Sequence, residues 1–178
     1  MTAPEIADRL ERLEARGEPT AKLVEVLRAV RDEDGLWRVA DNVVAYPAIM
    51  GAVYQRASEL RASEDTALGY LALSHIFAGD VDAAARILGQ LPRSSRDPIV
   101  LSAWAALADD AGERVRRLEE GVSRRPDSLR LWRELATETL RSGQLERSRE
   151  AHLWLLGHEQ DPQQRERVAK IVEDNRWV

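Results

Sequence analysis

Three glycines and three prolines set the rhythm of this chain. Gly79, Gly112 and Gly143 fall 33 and then 31 residues apart, each followed by a polar residue (Asp80, Glu113, Gln144), and Pro92, Pro126 and Pro162 interleave with them at intervals of 34 and 36. Glycine ends a helix by entering the left-handed conformation, and proline cannot continue one. The alternation predicts helical pairs with a glycine turn inside each pair and a proline turn between pairs. A unit of about 34 residues cannot bury its apolar side alone and has to stack on its neighbours.

The segments between these turns have helical period. Thr2 and Glu5 form a capping-box pattern, with Ile6, Leu10 and Leu13 on one stripe until Gly17. A second helix is expected from Pro19 or Thr20 with Leu23, Val24, Leu27 and Val30 on one face, ending in the acidic run Asp32-Glu33-Asp34. A third begins near Leu36-Trp37 and stops before Pro47, and a fourth runs from about Ala48 to Arg61. No segment alternates with period two for long enough to make a strand. Ala, Leu, Arg and Glu dominate, aromatics are only 5% of the chain, and good helix formers fill it.

The repeated residues resemble the tetratricopeptide repeat. The clearest unit, 129–162, reads Trp132, Leu135, Ala136, Thr139, Gly143, Leu145, Ser148, His152, Leu155 and a closing Asp161-Pro162; the unit 65–92 reads Leu68, Leu71, Ala72, His75, Gly79-Asp80, Ala84, Leu88 and Leu91-Pro92. The middle unit, 95–126, fits only if Val115, Leu118 and Val122 are shifted by about three residues, and a degenerate pair at 36–61 carries Asp41 where the family has a small residue. The resemblance implies one all-α helical-repeat domain over 1–178, a right-handed superhelical stack of antiparallel pairs with about 11 helices. Residues 1–34 form N-terminal helices and 163–178 a capping helix, with Val168, Ile171 and Val172 inward.

Catalytic and metal chemistry have no recognisable carriers. There is no cysteine, so disulfides, zinc thiolates and thiol catalysis are excluded. His152 and His158 lie six apart, which puts them on different helix faces, and adjacent acids such as Glu119-Glu120 point about 100° apart. Packing is the simpler account of His75 and His152, as it is of Trp37, Trp104 and Trp132 on their apolar stripes. The expectation is a non-enzyme without cofactor or metal. With neither a basic leader followed by an apolar run nor a membrane span, it is expected to be cytoplasmic.

An interaction scaffold binding a protein or peptide is therefore the expected function. In the tetratricopeptide family the first helix of each pair lines the concave groove, which implies a partner-binding face made of Arg130, Arg133, Thr137 and Arg141 in one unit and Tyr70, Leu73 and Phe77 in another. Guanidinium groups suit carboxylates and aromatics suit an anchor, so the implied partner is acidic at one end and apolar at the other. A self-assembling structural protein is the alternative, with Ile6, Leu10, Leu13 and Trp177 as apolar end surfaces and a homodimer as its product. A nucleic-acid role would draw on the stretch 114–149, where ten arginines outnumber six acids; the formal net charge of −5 argues against it.

Overall fold

In the computed structural model, which describes residues 2–177, the chain is all-helical, with eleven helices and no strand among those residues. They are α1 (Ala3–Glu14), α2 (Thr20–Leu27), α3 (Glu33–Val43), α4 (Pro47–Leu60), α5 (Glu64–Phe77), α6 (Val81–Leu88), α7 (Pro98–Ala106), α8 (Ala111–Arg124), α9 (Leu129–Arg141), α10 (Leu145–His158) and α11 (Pro162–Asp174). None is long and apolar enough to cross a membrane. The helices form two compact units, one up to Ala103 and one from Trp104 onward, with the boundary inside α7.

Local chemistry fixes where the helices start. Side chains of Asp32, Ser63, Asp80, Asp110, Ser128 and Asp161 each accept a backbone N–H from the first turn that follows. Such a cap contributes about 1 kcal/mol. Thr2 donates its backbone N–H to Glu5 at 2.7 Å, the reciprocal half of a capping box. That same hydrogen bond holds the Glu5 carboxyl below the usual range.

One joint recurs where helices stop. At Gly17, Gly79 and Gly143 the backbone turns left-handed, with φ of 67°, 81° and 72°. The N–H of the glycine bonds three residues back and the next N–H five residues back, as in Gly79 to Ile76 and Asp80 to His75, or Gly143 to Leu140 and Gln144 to Thr139. This is the Schellman arrangement. Arg61 and Arg176 occupy the same position at φ 56° and 54°, with the same pair of bonds.

In the first unit α1 packs on α2, α3 and α4, α2 and α3 pack on α4, and α5 joins α4 to α6. Its core holds Leu10, Leu23, Leu27, Leu36, Ile49, Met50, Tyr70 and Leu88, all essentially without solvent exposure. In the second unit α9 packs on α8 and α10, and α10 on α11, over Val115, Leu118, Leu131, Leu155 and Val172. Val168 and Val172 are buried as expected, whereas Ile171 is half-buried.

Two sequence expectations need correction. The acidic run 32–34 opens α3 instead of closing α2: α2 stops at Leu27, and Asp32 caps Gly35 at 2.7 Å. Carboxylates are favoured at a helix N-terminus, where N–H dipoles point outward. Gly112 is not a turn residue. It lies in the first turn of α8 behind the Asp110 cap, so this helix begins three residues earlier, relative to its glycine, than α6 or α10. That offset is the shift that Val115, Leu118 and Val122 required.

Asp41 also has a physical reason. Its carboxylate accepts the Tyr70 hydroxyl at 2.7 Å, and Trp37 stacks on the Tyr70 ring with centroids 5.7 Å apart. A small residue there would leave the buried phenol without this partner.

Candidate functional site

The expected groove residues fall into two kinds. In α5, Tyr70 and Leu73 are 2% and 3% exposed and belong to the core; only Phe77, at 63%, presents a surface. The cause is coverage. α5 is apolar around most of its girth, its neighbours α4 and α6 flank it, and at Gly69 the chain near Ile99 and Val100 comes so close that an added Cβ would lie 3.1 Å from the Val100 nitrogen.

In α9 the four residues do share an outer stripe, but its first two charges are engaged. Arg130 pairs with Glu134 at 3.1 Å, and Arg133 clamps Glu159, donating from Nε at 2.9 Å and also from Nη2. Thr137 donates its hydroxyl to the Arg133 carbonyl at 2.8 Å. Burial raises the Glu159 carboxyl, yet the Arg133 guanidinium and the backbone N–H groups of Asp161 and Gln160 outweigh it, and the net shift is downward. Arg141 is exposed, with no ion pair to any described residue.

Most of the arginine-rich stretch is likewise engaged by carboxylates, two of which, Glu113 and Glu159, lie outside it. Arg114, Arg116, Arg117, Arg124, Arg125, Arg130, Arg133 and Arg147 each lie within ion-pair distance of a carboxylate, while Arg141 and Arg149 form no such pair with any described residue. Glu113 is the shared partner of Arg116 and Arg117, and their hydrogen bonds lower its carboxyl to about 2.

The proposed ends of the molecule are not free apolar surfaces. Ile6 and Leu10 are buried against the helices that α1 packs on, and Leu13 is half-buried. Trp177 folds back: its N–H reaches the Val172 carbonyl at 3.0 Å and its ring lies 5.4 Å from His152. Among the described residues the exposed large apolar ones are Phe77 and Val81 at the α5–α6 turn, and Leu145 and Leu153 on α10.

What the local pattern missed is a cleft of about 300 Å³ in the second unit, where α8, α9 and α10 converge. Val122, Trp132 and Leu135 supply its apolar lining, and Glu119, Ser123, Arg147 and Glu150 its polar lining. Trp132 is half-buried instead of core. Its indole N–H donates to the Pro126 carbonyl at 2.9 Å, and its ring stacks on Trp154 at 4.6 Å and 14°, which in turn stacks on His158 at 4.0 Å and 7°. A large aromatic surface is thus held in one orientation at the edge of solvent. Glu119 and Arg147 pair at 3.1 Å, and Arg147 also donates to the Gln144 side chain at 2.8 Å.

The tryptophans at 132 and 154 lie 22 residues apart, so their stacking is a product of the α9–α10 turn and not of local sequence. Among the described residues no group of three or more His, Asp or Glu side chains is placed to hold a metal ion. No family model, curated protein or solved structure matches the chain.

Proposed function

We propose that this chain is a non-catalytic interaction scaffold of the tetratricopeptide type, whose stacked helical pairs receive a segment of a partner protein in the cleft beside Trp132. The observation that carries this reading is the half-exposed, doubly anchored indole of Trp132 in the wall of an open cleft with apolar and charged linings. Rigid aromatics of this kind in partly desolvated pockets are the residues on which association energy concentrates. The repeated glycine joint and the family resemblance support the stacked architecture. The binding face moves from the α9 stripe to the cleft because Arg130 and Arg133 already have carboxylate partners.

Selection of a displayed library of 12-residue peptides against the full chain tests this. The expected result is a consensus whose soluble peptide binds more tightly than about 100 µM and slows amide exchange in α8, α9 and α10. A library that yields no such binder removes the scaffold reading.

Self-assembly is favoured by a different observation, the exposure of Phe77 and Val81 at one turn. If sedimentation equilibrium reports a dimer, Phe77→Asp should dissociate it; a dimer indifferent to that change places the contact elsewhere.

A further inference from the structure

Resting on the scaffold reading, we propose that the cleft of the second unit takes an arginine side chain of the partner segment. Among the described residues its lining offers acceptors without partners: the Glu150 carboxylate forms no ion pair, and the Ser123 hydroxyl makes no hydrogen bond. The one cation there, Arg147, is committed to Glu119 and Gln144. With Glu119 neutralised by Arg147, the polar lining has one uncompensated negative charge.

The apolar lining suits the same guest. Val122, Leu135 and Trp132 can cover the methylene stem of a long side chain while its charged head stays at the opening. The face of an indole attracts a cation, and a planar guanidinium does so best because it is weakly hydrated and stacks. A volume of about 300 Å³ lies at the small end of ligand pockets, enough for one long side chain and too little for a packed helix. An acidic guest, the one the α9 stripe implied, would meet Glu150 and find Arg147 already occupied.

The probes are three capped tripeptides, acetyl-alanyl-X-leucyl-amide with X arginine, citrulline or glutamate, titrated into the full chain while the indole N–H signal of Trp132 is followed by NMR. Arginine should shift that signal. Citrulline, the neutral analogue, should bind about fivefold more weakly or worse, since it loses both the ion pair and the cation–aromatic attraction. Glutamate should leave the signal in place. Glu150→Gln, at an exposed position without an ion partner, should keep the helical circular dichroism and weaken the arginine probe about threefold.

Citrulline or glutamate binding as well as arginine, or no shift with any of the three, overturns the inference. So does a library consensus that occupies the cleft without a basic residue, and in that case the scaffold reading survives.

Discussion

Helices α5 and α9 occupy the same place in their respective pairs, 64 residues apart, and end in the same left-handed glycine joint with the same two backbone bonds. They differ in what covers them. Tyr70 and Leu73 in α5 are core, while their counterparts Glu134 and Thr137 in α9 are half-buried and exposed; Gly69, in close contact with Ile99 and Val100, corresponds to the solvent-facing Arg133. One joint geometry therefore serves an interior helix and a surface helix alike. The joint specifies the hairpin, and the residues between joints specify whether its first helix is enclosed.

The harshest way to break this comparison is to write the α9 residue into α5. Tyr70→Glu places a carboxylate where a phenol bonds Asp41 and stacks on Trp37, so it should destabilise the first unit by about 4 kcal/mol. Urea denaturation followed by circular dichroism measures this, and a loss below about 1 kcal/mol would mean that Tyr70 is not enclosed. Gly69→Ala should cost about 1–3 kcal/mol, because the new methyl meets the backbone of Ile99 and Val100 as well as the branched Ile99 Cγ2, and the backbone cannot swing aside.

Gly79→Ala and Gly143→Ala sharpen the equivalence of the two joints. Neither added Cβ meets an atom within 4 Å, so each change should cost only the left-handed backbone term, about 1 kcal/mol and nearly the same at both. Costs that differ by much more than about 0.5 kcal/mol would show that the joints are not interchangeable.

The smallest effect concerns charge. Glu113 should titrate near 2 in the folded chain. Because this folded value is depressed, its contribution is present above the ordinary carboxylate range and is lost as pH falls from there through about 2. Arg116→Met together with Arg117→Met should return the midpoint toward an ordinary glutamate in a carboxyl NMR titration; an unchanged midpoint would exclude the two guanidinium groups as its cause.

The sequence made the hairpins legible because their signals are local: a cap such as Asp80 or Ser128, and a glycine three and four residues beyond the two carbonyls that its joint satisfies. It placed Val115, Leu118 and Val122 at the correct offset for the same reason. Exposure was not legible, because it depends on elements distant in sequence. Nothing near Leu73 announces the approach of Ile99 to Gly69, and nothing near Arg133 announces Glu159, 26 residues later. The apolar girth of α5 was the available signal that Tyr70 and Leu73 would be enclosed, since a surface helix keeps one polar face. Trp132 looked like core for the converse reason: it sits on an apolar stripe, and the opening beside it forms only where three helices meet.

Arg61 and Arg176 stand where the other joints use glycine, and this leaves the protein with unused thermal tolerance. A left-handed residue with a side chain is disfavoured by about 1–2 kcal/mol, and part of that returns when glycine, freer in the unfolded chain, replaces it. Each exchange should still raise stability by about 0.5–1 kcal/mol, a visible fraction of the about 5–15 kcal/mol that separates most domains from unfolding. Neither position lines the cleft. The molecule can thus be hardened against heat at two points without touching the surface proposed to meet its partner.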